Sequence, residues 1–561
     1  MPQFNRHPMV TRRQTGSLKP ITRLNLVHEQ TSQQQPKDPT SYSEAVKHAH
    51  WRQAMSDEFL ALQRQGTWTL VSPPKSSVLG CKWTYRTKHL ADGSIAKYKA
   101  RLVALGNHQE FGLDYNETFS PVAKLPTIRI LLTIALHYDW QVHQLDVDNA
   151  FLHGTLTETV YMNQPKGFID PTYPNHVCRL NKALYGLKQA PRQWYNTFTA
   201  YLISLGFANS ISDPSLFILN KSDCKLFLLI YVDDILFTGN NKTMLDNILA
   251  HLHSRFSIKH LGTAHQFLGI KIERQSTQYF LSQPQYAKSL IDMAQLSQCK
   301  PISNPTCTKL PQDMRPDPLL SDSSLYRRLT GSLQYLTLTR PDIAYSVNIL
   351  SQHMHNPLPQ HIFLLKRLLR YIQGTLHFGI PITKSNLLLT SFSDADWAGD
   401  PISRKSTSGY CSFLGNTLIS WTVKKQTTVA RSSTESEYRA LAALTADVIW
   451  LRKLLTEFGA PQDRPTDLFC DNVSAIALAN NPVFHARTKH IEIDQRFVRD
   501  HIQHNHIRIF PINTLDQVAD IFTKALSTPR FQSLRLKLTV HNNPSVCGGL
   551  LVEKSKCINK I

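Results

Sequence analysis

Gln144–Phe151 reads QLDVDNAF and Lys225–Gly239 reads KLFLLIYVDDILFTG. Both are apolar runs with the composition of strands, and both run into aspartate: Asp146 in the first, Asp233 and Asp234 in the second. Burying unpaired carboxylates among such residues costs several kcal/mol, so a cation has to face them. Aspartates on neighbouring strands are hard oxygen donors, the kind that hold two Mg²⁺ ions about 3.5–4 Å apart in phosphoryl-transfer enzymes. Taken singly, Asp146 is a turn or capping residue and Val-Asp-Asp is a tight hairpin turn. Taken together, in this order and with these flanks, they point to a metal-dependent site on a sheet.

The rest of the chain agrees with a large polyanionic partner. It has 561 residues, enough for three or four domains at about 150 residues each. Lys plus Arg number 62 against 41 Asp plus Glu, a net charge of +21. No apolar run reaches the roughly 18 residues that span a bilayer, and the nearest, Leu226–Phe237, is broken by the two aspartates. No membrane partner is expected. The N-terminal MPQFNRHPMVTRRQTG lacks the apolar stretch of a secretory signal. Nine scattered cysteines without a CxxC pair argue for reduced thiols rather than a disulfide framework or structural zinc.

Residues 1–42 are rich in Gln, Ser, Thr and Pro and read as a disordered linker or remnant. SYSEAVKHAHWRQAMSDEFLALQRQG (41–66) then spaces Ala45, Ala49, Met55, Phe59 and Leu62 as one opening helix, with Ser43 as N-cap and Gly66 as stop. CKWTYRTKHL and IAKYKARLVALG flank an Asp-Gly turn and read as a hairpin. Helices are expected over Leu125–Tyr138 and Ala190–Leu205, with the acid-bearing strands between and after them. A second strand-rich unit starts near Leu387 and contains a long helix, Ser433–Phe458. The last 30 or so residues read as a loose tail.

These motifs and their order resemble the reverse transcriptases of copia-type LTR retrotransposons. The resemblance runs from about residue 45 to 530 through KWTYRTK, YKARLVALG, QLDVDNAFLHG, VYMNQP, LNKALYGLKQAPRQWY, YVDDILFTG and FLGIKI. It implies an α+β multidomain fold: a right-hand polymerase with fingers and palm over 43–275, a thumb and connecting region over 276–385, an RNase H-like α/β domain over 386–530, and a tail over 531–561. The implied activities are RNA-directed DNA synthesis and cleavage of RNA in RNA-DNA hybrids. Two Mg²⁺ ions per site are implied, with Mn²⁺ able to substitute. The implied partners are an RNA template, a DNA primer, the RNA-DNA hybrid, dNTPs, and products of the same polyprotein such as capsid and integrase. The setting implied is a cytoplasmic virus-like particle, the nucleus, or both.

Position by position, the resemblance makes Asp146, Asp233 and Asp234 the polymerase carboxylates, with the Val147 carbonyl as a further metal ligand. Phe151 becomes the aromatic that excludes a ribose 2′-hydroxyl. Arg86, Lys88, Lys99 and Arg101 fall in the fingers segment whose cations hold the triphosphate. Gly186, Gln189 and Pro191 belong to the loop that shapes the nucleotide pocket, and Phe267, Leu268 and Gly269 to the primer grip. In the second unit, Asp394, Glu437, Asp471 and Asp520 match the RNase H carboxylates and metal ligands. Asp396, Asp400, Glu435 and Glu492 are their rivals, since acids of this kind also cap helices. Arg487, Lys489 and His490 form a basic cluster for the nucleic-acid backbone, and Trp397 and Trp421 read as core. A catalytically inactive nucleic-acid-binding relic is the competing reading. With no zinc-knuckle spacing of Cys and His and no protease DSG or DTG triplet in a suitable context, the chain reads as the C-terminal part of such a polyprotein.

Overall fold

The apolar run at Lys225–Gly239 turns back on itself instead of continuing as one strand. In the computed structural model, Cys224–Tyr231 and Asp234–Gly239 are antiparallel neighbours, with Asp234 opposite Tyr231. Val232 takes the turn at φ +57°, and the Trp194 indole donates to its carbonyl at 2.6 Å. The pair lies inside a six-stranded sheet, in the order Ile258–Thr263, His143–Val147, Asp234–Gly239, Cys224–Tyr231, Leu216–Lys221, Ala208–Asn209. Its middle strands are buried on both faces, which is why they read as continuous Leu, Ile and Phe rather than alternating.

The structure describes residues 38–89, 94–310, 322–481 and 491–544, and all of them fall in one compact unit. Among them, no helix is long and apolar enough to cross a membrane, and the seven cysteines are free.

On one side of the sheet, the helix Ala49–Arg64 packs Trp51, Met55 and Leu62 against a hairpin of Cys81–His89 and Ile95–Ala104. The expected single opening helix is split. Tyr42–Ala45 is a separate turn capped by Ser41, not Ser43, and His48 interrupts the backbone before Ala49. Next to it a three-stranded sheet pairs Val177–Lys182 with Trp68–Val71 and with Thr155–Met162. Leu125–His137 and Ala190–Ser204 form helices as expected. The first is apolar on nearly every face, as a helix buried between layers must be. Its one charged interior residue, Arg129, donates to the carbonyls of Leu338 and Ile419, both at 2.8 Å, and lies over the Trp421 ring.

Two expected boundaries are not seams. Gln266–Phe267, Ile270–Arg274 and Gln278–Ser282 share a sheet with Phe378–Thr383 and His541–Asn542, so the lines at 275 and 385 cut across hydrogen-bonded strands. The tail is folded as far as it is described. Thr528–Lys537 is a helix that buries Phe531 and Leu534, followed by buried Leu538 and Val540. At about 1.5–3 kcal/mol per buried side chain, that suffices to dock so short a segment. Between these parts, helices Pro284–Met293, Ser323–Leu336, Ala344–Ser351 and Pro359–Gln373 share a core that includes Tyr326, Leu333, Leu365 and Tyr371.

The second unit is a five-stranded mixed sheet in the order Thr417–Lys425, Thr407–Leu414, Leu389–Asp396, Thr466–Cys470, Ile507–Pro511. The first three are antiparallel, and the last two run parallel to the central strand. The 25-residue helix Ser433–Glu457, capped by the Ser432 hydroxyl, lies against it.

Candidate active sites

In the first site the register does the positioning. Asp146 stands directly opposite Asp234 on the neighbouring strand, and the Val147 N–H donates to the Asp233 carbonyl at 2.9 Å. All three aspartates are half-buried. Burial, then the charges of Asp233 and Asp146, push the Asp234 carboxyl up to about 6. Asp233 is also raised by burial, and the cations of Arg101 and Lys99 oppose that shift. Asp148, two residues past Asp146, is drawn off into an ion pair with Lys259 at 2.5 Å.

Those two cations come from the hairpin. Its register pairs Arg86 with Lys99, Lys88 with Lys97 and Thr84 with Arg101, so Arg86, Lys88, Lys99 and Arg101 share one face. The other face carries Trp83, Tyr85, Ala100 and Leu102 into the core. Burial, then the neighbouring charges of Arg101 and Lys88, hold the Lys99 ammonium below its usual range. The Arg101 guanidinium lies 4.7 Å from the centre of the Tyr185 ring, and its Nε is buried without a hydrogen-bond partner. Tyr185 in turn meets Phe151 edge-on at 5.0 Å. Burial pushes the Tyr185 hydroxyl up to about 12, with Arg101 opposing and Asp233 and Asp146 among the charges that add to it. Tyr185 therefore bridges the expected aromatic, the cations and the acids. It sits beside Gly186 in YGLKQAP, and its ring was the overlooked signal.

Gly186 fits the close approach expected of it: at φ +93°, a Cβ would meet the Ala104 carbonyl oxygen at 2.1 Å. Gln189 is fully buried, and both ends of its amide are engaged, accepting from Gln109 and donating to the Asp114 carbonyl at 2.9 Å each. It pins the loop and does not present its amide to a ligand. Pro191 starts the helix Ala190–Ser204. At FLGIKI, Leu268 and Gly269 are the two central residues of a tight turn, both at positive φ, as a two-residue hairpin demands. Phe267 is buried, and the Tyr335 hydroxyl donates to the Leu268 carbonyl.

In the second site the four expected acids gather. Asp394, on the central strand, Asp471, at a strand end, and Asp520 offer carboxylate oxygens within 4.8 Å of one another, and Glu437 joins Asp471 and the Cys470 thiol in an overlapping group of the same size. The rivals are occupied elsewhere. Glu435 accepts from the Arg431 N–H and pairs with Arg439 at 2.7 Å. Asp396 accepts from the Thr407 N–H, and Asp400 caps its own loop and pairs with Lys425. Glu492 pairs with Arg496 along its helix at 2.7 Å. Burial pushes Asp394 up to about 6 and raises Glu437 well above the usual carboxylate range, with the neighbouring acids adding to both.

Lys524 is the residue the sequence reading missed. Its ammonium lies 2.8 Å from Asp520 and 3.4 Å from Asp394. Burial opposes its charge, and Asp394, Asp520 and Asp471 together outweigh burial and push it up. Arg530 reaches Asp520 from the far side at 3.1 Å, and the Thr523 hydroxyl donates to Asp394. An acid followed four residues later by lysine was the available signal. Trp421 packs as expected, whereas Trp397 is 53% exposed, its indole donating to the Ala430 carbonyl. Arg487, Lys489 and His490 lie outside the described residues.

The second donor set fits a divalent cation: its carboxylate oxygens are hard donors, burial and then the neighbouring acids hold Asp394 and Glu437 above their usual range, and Glu437 Oε2 is buried without a hydrogen-bond partner. Asp146, Asp233 and Asp234 offer donors of the same kind, but among the described residues they do not form so close a group.

Comparison with known proteins gives the family. The family model described as reverse transcriptase (RNA-dependent DNA polymerase) matches residues 65–308. The retrovirus-related Pol polyprotein from transposon RE1 of Arabidopsis thaliana is 47% identical over 544 residues, covering 96% of this chain and 37% of that protein. The corresponding polyprotein from transposon TNT 1-94 of Nicotiana tabacum is 38% identical, covering 90% of this chain and 39% of that protein. A transposon Ty5-1 protein of Saccharomyces cerevisiae is 32% identical over 298 residues, 97% of its own length. The chain belongs to the reverse transcriptase family, among the retrovirus-related Pol polyproteins of copia-type transposons. It spans between a third and two fifths of the length of the two plant polyproteins. A foamy viral protease-reverse transcriptase in complex with RNA/DNA hybrid aligns over 86% of this chain and 56% of that one, at 11% identity and a TM-score of 0.45.

Proposed function

We propose that the chain is an RNA-directed DNA polymerase with a tethered nuclease that cuts the RNA of RNA-DNA hybrids. The observation that carries the first half is Asp146 facing Asp234 across a strand pair, with Lys99 and Arg101 facing Asp233. Asp146, Asp233, Asp234 and the Val147 carbonyl would hold divalent ions of the Mg²⁺ kind, and Asp394, Glu437, Asp471 and Asp520 would hold the others. When bound, such ions activate the attacking hydroxyl or water and stabilise the leaving oxygen.

The protein's own part is positioning and charge. Lys99 and Arg101 stand where a nucleoside triphosphate approaching the acids would need charge-assisted hydrogen bonds, while Arg86 and Lys88 extend the same cationic face. Phe151, braced by Tyr185, closes the pocket on the sugar side and so favours deoxynucleotides. Gly186 lets the loop lie against the end of the hairpin, and Gln189 holds it there. The turn at Leu268 and Gly269 supports the primer end. A charge of +21 suits a nucleic-acid duplex. If six to ten phosphates are contacted, affinity for a hybrid falls by roughly 10³- to 10⁵-fold between 50 and 200 mM salt.

One observation favours a second reading for the second unit. Lys524 and Arg530 already neutralise Asp520, as they would in a folded unit that binds the hybrid without cutting it.

The test is Mg²⁺-dependent incorporation of dTTP on poly(rA)–oligo(dT). Incorporation by the wild type that is lost in Asp233→Asn, Asp234→Asn supports the polymerase. A folded wild type that binds the hybrid and incorporates nothing overturns it.

A further inference from the structure

Beside the all-carboxylate group of the second site stands one with a different donor set. The Cys470 thiol ends the strand Thr466–Cys470, and its sulfur lies within 4.8 Å of carboxylate oxygens of both Glu437 and Asp471. Cys470 is fully buried, so it is not placed there for reaction with solvent. Glu437 is 6% exposed, and its Oε2 has no hydrogen-bond partner. A buried, unpartnered carboxylate oxygen is costly, and it marks a place where a ligand completes the coordination. Asp471 accepts from an uncharged donor, the Thr514 hydroxyl, at 3.1 Å, whereas Asp394 and Asp520 pair with Lys524. Glu437 and Asp471 thus make no ion pair with Lys524, although its charge reaches both.

We propose that Glu437, Cys470 and Asp471 form a site for a thiophilic divalent cation of the zinc or cadmium class. Hard ions such as Mg²⁺ take oxygen ligands, and a sulfur among three donors shifts preference toward softer ions. Ligand atoms about 2.0–2.3 Å from one tetrahedral ion stand roughly 3.3–3.7 Å from one another, so side-chain rotations of about 1 Å close the group. On coordination the thiol gives its proton to the buffer and binds as thiolate. Binding itself needs no nuclease activity. Its consequence does rest on the proposed nuclease: an ion held there removes Glu437 and Asp471 from the cleavage site and arrests cutting, while the polymerase site, which has no sulfur ligand, continues.

The test is a titration of the metal-free full chain with Cd²⁺, read by the ultraviolet thiolate-to-cadmium charge-transfer band. The wild type and Cys411→Ser, a buried cysteine on another strand, should show one saturable step that Cys470→Ser lacks. A step retained in Cys470→Ser, or absent from the wild type, overturns the proposal. If Cys470→Ser fails to fold by circular dichroism, Glu437→Gln decides: at least tenfold weaker Cd²⁺ binding is expected, and unchanged binding overturns it. Zn²⁺ should displace the Cd²⁺. In parallel, Zn²⁺ added to a Mg²⁺ reaction on a labelled hybrid should stop cleavage but not primer extension. A chain that binds Cd²⁺ through Cys470 yet never cuts RNA keeps the metal site and sinks the nuclease reading.

Discussion

At Asp146, Asp233 and Asp234 the balancing cations come from a separate hairpin, whereas at Asp394, Glu437, Asp471 and Asp520 one of them, Lys524, follows Asp520 by a single helical turn. The first set is half-buried and sits on a turn. The second has Asp394, Glu437 and Asp520 almost fully buried, Glu437 on the 25-residue helix itself. Both put several carboxylates where burial disfavours their charge. The difference lies in how much of that charge the fold neutralises by itself. The first site has only the nearby charges of Lys99 and Arg101 and, among the described residues, no ion pair to its aspartates, while the second pairs Asp394 and Asp520 directly with Lys524 and Asp520 with Arg530.

Separate sites imply separable losses, and these are the largest expected effects. Asp234→Asn should lower primer extension by about 10²- to 10³-fold and leave hybrid cleavage near wild type. Asp471→Asn should do the reverse.

A change at the contact between the two units should instead lower both together. Arg129→Met strands a buried carbonyl at Ile419 and a half-buried one at Leu338, and removes the cation over Trp421. A loss of about 2–4 kcal/mol in unfolding free energy is expected, read by denaturant titration. Unchanged stability would show that the two units do not rely on this contact.

The pH dependence follows next. Asp234 and Asp394 each titrate near 6, above the ordinary range, so their ligand form is lost below that value. Extension measured at saturating substrate should fall about tenfold between pH 7 and pH 5. Stability of the metal-free chain runs the other way. Groups raised in the folded state bind more protons there than in the unfolded chain, so their stabilising contribution is present at low pH and is lost as pH rises through about 6. Histidines held below their usual range by burial act in the opposite sense in every variant, so the contrast is with Asp234→Asn: a melting-temperature difference, wild type minus variant, that does not fall between pH 5 and pH 7 would contradict this.

The smallest effect sharpens the comparison most. Lys524→Met removes the internal cation from the second site alone. In the presence of chelator it should cost about 1 kcal/mol, modest because the lysine side chain is 39% exposed. Added divalent ion should restore the loss, since metal then carries the charge that lysine carried.

Much of this was legible in the sequence because the informative residues are local. The aspartates, the strand flanks and the helices beginning at Leu125, Ala190 and Ser433 all announce themselves within a dozen residues. What escaped depends on distant partners. Nothing near residue 275 says that Ile270–Arg274 will share a sheet with a strand a hundred residues later, or that His541–Asn542 will complete it. Gln189 looked like a ligand residue because its partners, Gln109 and Asp114, lie in a loop with no periodic pattern. Tyr185 and Lys524 were hidden differently: one stands in a recognised motif and the other four residues after an expected acid, but the importance of each comes from the charges the fold brings to it.

The most direct test of two independent acid sites is a single reaction on a 5′-labelled RNA–DNA hybrid with dNTPs and Mg²⁺, following extension and cleavage together in wild type, Asp234→Asn and Asp471→Asn. The expected result is a double dissociation, each variant losing one product and keeping the other. Loss of both products in either folded variant, or retention of both in each, would contradict the account.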